Sequence, residues 1–254
     1  MKYALAREKG DESILDFTGK TALVTGASAG IGRATAMELA QYHADLVLLD
    51  VDEAGLALLK EQLSPYGVRI AIYECDISDE ARVNQVCVDA IRQMGKIDIL
   101  VNNAGLWRGA CPFAESESAM WRKRLDVNVL GTLYMTRALI NPMLERGWGR
   151  IINVASVSGV YGIANMADYS LTQGALIAYT AACAKEVTGK GVLVNCVSPG
   201  SVAEGDQVGE TALSFIGRTG ACREYAHVIC FLASEEASYI SGQNYIVDGC
   251  RKKL

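Results

Sequence analysis

The chain has 254 residues, half of them apolar, enough to bury one substantial core without metal or disulfide staples. Its 29 acidic and 24 basic residues give a formal net charge of −5. That charge is mild and dispersed, which excludes a nucleic-acid surface and favours a small-molecule partner. Two histidines and eight cysteines with no CxxC pair speak against a metal site and for reduced thiols in a cytoplasmic protein. No run reaches the ~20 apolar residues of a membrane span, and the opening lacks a signal-like stretch, so no membrane partner is expected.

Residues 1–18 read as a polar N-terminal lead. Beyond them, short β-branched or leucine-rich runs at 21–25, 45–50, 68–74, 97–101, 150–155, 192–197 and 245–247 predict strands buried on both faces. Helical patterns at 30–42, 53–63, 79–94, 116–146, 168–188 and 222–234 separate them, which is the alternation of βαβ units. The expected fold is a single α/β domain: a Rossmann-like, doubly wound, parallel seven-stranded sheet with helices on both faces. The loop 200–216 has no period and is expected to be a substrate lid. The basic stretch from Arg251 onward is read as solubilising and nothing more.

The first strand runs into Thr25-Gly-Ala-Ser-Ala-Gly-Ile-Gly32. Gly26 permits a tight turn, Gly30 lets backbone approach a pyrophosphate, and Gly32 allows close packing, while the following helix offers its unpaired N–H groups. Ser28 and Ile31 complete this turn. Asp50 ends the second strand twenty residues after Gly30, where its carboxylate can accept from both hydroxyls of an adenosine ribose. It would repel a 2′-phosphate, and the next residue is Val51, so NAD(H) is expected over NADP(H). Arg33, just after the glycines, is the counter-argument, although a solvated charge is the simpler reading.

On these residues the chain resembles the classical short-chain dehydrogenase/reductase family from about Gly19 to Gly249. Asp76 and Ile77 match the family's adenine-facing pair, and Asn102-Asn103-Ala104-Gly105 its cofactor-lining motif. Asn128-Val-Leu-Gly131 matches its active-site asparagine segment, and Ser156, Tyr169, Pro199, Gly200 and Val202 follow in order. The resemblance implies that Tyr169 moves the substrate's hydroxyl proton, with Ser156 bonded to the same oxygen. Asn128, Ser156, Tyr169 and Gln173 are thereby the catalytic set.

Two positions depart from the family pattern. The Tyr-x-x-x-Lys motif reads Tyr169-Ser-Leu-Thr-Gln173 here. A lysine would bind the nicotinamide ribose and lower the tyrosine's pKa; Gln173 can do only the first, so Tyr169 is expected near the ordinary ~10 and catalysis weakened. No replacement lysine stands nearby, since Lys185 is three turns along. Glu204 occupies the place of a threonine that would bond the nicotinamide carboxamide.

Trp107, Ser158, Tyr161, Ile163 and Met166 are expected around the substrate. They are mostly apolar, and with no paired cations to clamp an acid the sequence predicts a neutral, hydrophobic secondary alcohol or ketone. The resemblance implies a homodimer or homotetramer formed through the helices at 116–146 and 168–188, and the stretch Gly174–Ala184 is rich in small residues on nearly every face, as close helix packing requires. The expected function is an NAD(H)-dependent oxidoreductase. The alternative is a non-catalytic dinucleotide-binding sensor or scaffold of the same fold.

Overall fold

Alternate residues of each buried run face opposite ways, and this divides the core in two. Ala22 and Val24 of the first strand, with Leu46 and Leu48 of the second, pack on Leu39, Leu56, Ile229 and Leu232. The intervening Leu23, Val47 and Leu49 pack on Val83, Val86, Met135, Leu139 and Val187 on the other face. Each such side chain contributes about 1.5–3 kcal/mol of apolar burial. A strand greasy on both faces needs cover on both, and βαβ crossovers supply it.

The computed structural model describes residues 15–107, 109–203, 205 and 207–252. Seven parallel strands form one sheet: β1 (Thr21–Thr25), β2 (Asp45–Asp50), β3 (Ile70–Glu74), β4 (Ile99–Asn102), β5 (Gly149–Val154), β6 (Val192–Pro199) and β7 (Asn244–Val247). Their order is β3-β2-β1-β4-β5-β6-β7. The connections α1 (Gly30–Gln41), α2 (Glu53–Leu63) and α8 (Cys222–Ala233) cover one face, and α3 (Glu80–Met94), α5 (Thr132–Arg146) and α7 (Ala167–Val187) the other. The order reverses between β1 and β4, so a crevice opens at their carboxyl ends, where such sheets bind ligands.

All seven strands fall where the alternation of runs places them, but the helices differ in two respects. The single helix expected over 116–146 is α4 (Ser118–Arg124), a π-helical turn (Leu125–Gly131) and then α5. A one-turn helix, α6 (Val157–Tyr161), stands between Ser156 and Tyr169, too short to show a period. The 200–216 loop is tied down by isolated bridges from Val202 to Gly220, Glu210 to Arg218 and Ser214 to Arg251. Glu204 and most of the N-terminal lead lie outside the described residues, as do Lys253 and Leu254.

All eight cysteines are free thiols, six of them buried; burial pushes Cys87 and Cys196 up to about 12, which makes them inert. No helix among the described residues is long and apolar enough to cross a membrane. No group of three His, Cys, Asp or Glu among them is arranged to hold a metal ion.

Candidate active site

The turn after β1 is built for close approach. A side chain on Gly32 would put its Cβ 2.0 Å from the Gly26 carbonyl oxygen, whereas a Cβ on Gly30 would meet open space, at a backbone φ of +55°. The two glycines therefore do different work: Gly32 lets α1 close on the turn, and Gly30 leaves the outer wall bare. Helix α1 also begins on Ala29 with no side-chain cap. Helices α2 and α3, by contrast, begin on Asp52 and Asp79, which accept from Gly55 N and Arg82 N. The first N–H groups of α1 are thus left to a ligand, at the positive end of a helix dipole.

Asp50 is fixed beside this turn. Its Oδ2 accepts from both the backbone N and Oγ of Ser28, at 2.9 and 2.7 Å, and its Oδ1 from the Asp52 N at 3.2 Å. Arg33 donates instead to Gln62 Oε1, at 3.0 and 3.3 Å, in keeping with a surface role. Asp76 is exposed and caps Ser78, and Ile77 packs against Gly131, where a Cβ would lie 2.7 Å away.

Asparagines carry the crevice between β1 and the π-helical turn. Asn103 donates through Nδ2 to the carbonyls of Thr25 and Gly26, both at 3.0 Å, and Thr25 Oγ1 accepts from the N of Asn103 and of Ala104. Asn128 accepts from Leu106 N at 2.6 Å and donates to the Leu106 carbonyl and to Thr172 Oγ1. The π turn displaces the Asn128 carbonyl from the regular ladder, and Thr132 Oγ1 bonds it at 3.0 Å; such turns recur at functional sites. Asn128 thereby joins the segment after β4, the π turn and α7 near Tyr169.

Ser156 caps α6, accepting from Ser158 N at 3.1 Å, and it lines the same cavity wall as Tyr169. Burial holds the Tyr169 hydroxyl above the ordinary tyrosine range, opposed by the neighbouring Ser156 hydroxyl and by the positive charge of Arg124. This differs from the expectation of an ordinary value, because desolvation of the phenolate outweighs both. Arg124 is buried at the end of α4 and ion-paired with Asp168, whose Oδ1 accepts from Tyr169 N at 2.9 Å. One turn on, Gln173 is buried with its Oε1 unpartnered; Nε2 makes only a 3.5 Å contact to Thr172 Oγ1. A buried polar atom without a partner costs about 1–3 kcal/mol, so this one is a place for a ligand hydroxyl.

These groups face one cavity of about 1120 Å³, larger than the ~300–1,000 Å³ of ordinary small-molecule pockets, as joint occupancy by dinucleotide and substrate requires. Ile31, Asn103, Ala104, Gly105, Asn128 and Ser156 line it with Tyr169 and Gln173, and Pro199, Gly200 and Val202 close one side. Trp107, Tyr161, Ile163 and Met166 lie around it as expected, but Ser158 does not. That hydroxyl is buried beneath α6, because the helical turn starting at Ser156 rotates it inward. Gly26, Ser28, Gly30, Gly32, Asp50, Asp76 and Ile77 lie off the cavity, along the strand ends where an adenosine half would extend.

Residues 20–211 match the model of the short chain dehydrogenase family. The chain belongs to the short-chain dehydrogenase/reductase family. It is 35% identical over 239 residues to 3-oxoacyl-[acyl-carrier-protein] reductase FabG of Thermotoga maritima, covering 91% of this chain and 97% of that one. It is 31% identical over 243 residues to the 2-dehydro-3-deoxy-L-rhamnonate dehydrogenase (NAD(+)) of a Sphingomonas strain, covering 92% and 96%. The crystal structure of NAD+-bound xylitol dehydrogenase superposes with a TM-score of 0.87 at 32% identity, over 92% of this chain and 99% of that one.

Two features of this short-chain dehydrogenase escaped the sequence reading. Arg124 is the cation beside the tyrosine, arriving from α4, 45 positions before Tyr169 in the chain. Only the fold brings the two together. Arg251 and Lys252 line the cavity with Leu213, which corrects both the reading of that stretch as merely solubilising and the premise that no paired cations stand at the site. A run of two basic residues was visible, but nothing local to it pointed at a loop some forty residues earlier.

Proposed function

We propose that the protein is an NAD(H)-dependent oxidoreductase that interconverts a secondary alcohol and a ketone whose reacting carbon is flanked by apolar groups. The observation that carries this reading is that Ser156, Tyr169 and Gln173 stand together on the wall of one cavity at the strand ends. The residues present fit a nicotinamide dinucleotide: the bare Gly30 wall, the uncapped start of α1 and the unpartnered Gln173 Oε1. When bound, that group supplies or removes the hydride.

The chain's own residues do the rest. The α1 N–H groups hold the pyrophosphate, Asp50 the adenosine ribose, and Asp76 and Ile77 the adenine. Asn103, Ala104, Gly105, Pro199, Gly200 and Val202 bound the nicotinamide half, whose ribose hydroxyl is received by Gln173. In reduction, Ser156 and Tyr169 bond the carbonyl oxygen, and the tyrosine hydroxyl passes its proton to that oxygen as the C–H bond forms. Asn128 fixes the Leu106 backbone and Thr172 around them. Trp107, Tyr161, Ile163 and Met166 flank the substrate, and the 200–216 loop covers it as a lid. Held above the ordinary range, Tyr169 is protonated at neutral pH, the form that reduction needs, but burial makes it a weaker acid in that direction and a scarcer base in the other.

NAD(H) is favoured over NADP(H) because the Asp50 carboxylate faces the place of a 2′-phosphate and Arg33 is engaged with Gln62. Two relatives whose names carry NAD point the same way. Gln173 supports a second reading, a dinucleotide-binding sensor or scaffold without turnover, since it cannot titrate. NADH titration combined with turnover of ketones and secondary alcohols separates the two: binding with turnover supports the enzyme, and binding alone the sensor.

The reading includes a homodimer or homotetramer in the cytoplasm. Helix α7 buries only the stripe Thr172, Gln173, Leu176, Thr180, Cys183, Ala184 and Val187 within the chain, while Leu125, Leu130 and Leu171 stand exposed nearby, a face suited to a second copy. Eight free thiols suit a reducing compartment.

A further inference from the structure

The stretch after β7 does not trail away. Lys252 N donates to the Leu213 carbonyl at 2.9 Å, and Phe215 N and Ile216 N donate to the carbonyls of Cys250 and Gly249 at 3.0 and 3.2 Å. Residues 249–252 and 213–216 thus form a short antiparallel ribbon, centred on the Ser214–Arg251 bridge. The Lys252 ammonium lies 5.4 Å from the centre of the Phe215 ring, and both Arg251 and Lys252 reach the cavity.

Two basic residues therefore line the cavity in a protein of net charge −5, and neither is in an ion pair among the described residues. Asp248, three residues before Arg251, is engaged by the Tyr161 hydroxyl at 3.4 Å. Arg251 and Lys252 line the cavity together with Leu213 and Tyr161, and the Arg251 charge acts on the Tyr161 hydroxyl. A substrate whose reacting oxygen meets Ser156 and Tyr169 shares this cavity with them.

We propose that Arg251 and Lys252 form an anion clamp, and that the substrate is an oxo or hydroxy compound whose apolar reacting end is followed by a remote oxyanion, a carboxylate or a phosphate. The inference rests on the oxidoreductase reading for which end of the substrate reacts. Arginine presents a planar fork that matches an oxyanion, and lysine adds a point charge. The ribbon joins clamp to lid, so an anion seated on the clamp also holds residues 213–216 in place.

The test uses methyl ketones carrying a terminal carboxylate on chains of increasing length, the corresponding phosphate monoesters, and the neutral methyl esters of the acids. Binding is measured by calorimetry on the full chain, with and without NADH. The expected result is that one chain length of at least one anion binds ten-fold or more tighter than its ester, since each charge-assisted contact is worth roughly a factor of ten. That ratio should fall toward one in Arg251→Gln/Lys252→Gln, whose backbone ribbon is retained, and should shrink with added salt. The acid and phosphate arms identify the oxyanion. Anions binding no better than esters at any length, or a preference that survives the double substitution, would overturn the clamp. Failure of NADH to bind would instead remove the oxidoreductase reading, and the anion titration without NADH would still decide the clamp.

Discussion

Arg124 and Asp168 form a buried ion pair one residue before Tyr169, and that pair places the guanidinium charge where it favours the phenolate. In a chain whose Tyr-x-x-x-Lys position is Gln173, Arg124 is the cation that acts on Tyr169. Removing it alone would strand the Asp168 carboxylate, which costs about 3–5 kcal/mol for a buried partner. Arg124→Leu is therefore expected to lower stability by that amount in chemical denaturation. Arg124→Leu/Asp168→Asn should recover most of it and move the alkaline limb of the oxidation rate upward by about one pH unit, about 1.4 kcal/mol. A profile that stays in place would assign the pair a structural role only.

The glycine turn predicts a separation between stability and binding. Gly32→Ala drives a Cβ into the Gly26 carbonyl, so about 1–3 kcal/mol of stability should be lost together with NADH affinity. Gly30→Ala meets nothing in the protein but carries a φ of +55°, a cost of about 1–2 kcal/mol, while its methyl group occupies the dinucleotide's space. Melting and NADH fluorescence titration on both variants check this: Gly30→Ala should lose binding with the smaller loss of stability.

Cofactor choice is expected to turn on Asp50. Asp50→Ala removes the acceptor for the ribose hydroxyls and the repulsion of a 2′-phosphate, so NADH affinity should fall about ten-fold and NADPH affinity rise. A charged hydrogen bond is worth about 1.5–3 kcal/mol. Parallel titrations with the two cofactors measure the ratio, and an unchanged ratio would remove Asp50 from the discrimination.

Assembly has a simple readout. The exposed Leu171 and its neighbours predict a gel-filtration mass of two or four times 27.2 kDa. Leu171→Glu should return the protein toward that single-chain mass, which a monomeric wild type would make meaningless.

Much of this was legible in the amino-acid order, for physical reasons that also mark its limit. Strands buried on both faces must be continuous apolar runs, and the turn after β1 must be glycine where a Cβ would lie 2.0 Å from a carbonyl oxygen; both leave local signatures. Gln173 stood out because it breaks a spacing of one helical turn. Arg124 and the Arg251–Lys252 pair left no such trace, since they reach the site from α4 and from beyond β7, and only the sheet order brings those ends together. The burial of Ser158 turned on α6, five residues long and below the length at which periodicity can be read.

The most direct measurement is NADH titration with cofactor-absorbance turnover on ketones and secondary alcohols, for the native chain and Gln173→Lys. The account predicts that both bind NADH, and that lysine raises turnover by about 10²-fold or more, the scale of general acid–base help, while moving the alkaline limb downward. Absence of NADH binding, or binding without turnover in either form, would contradict it.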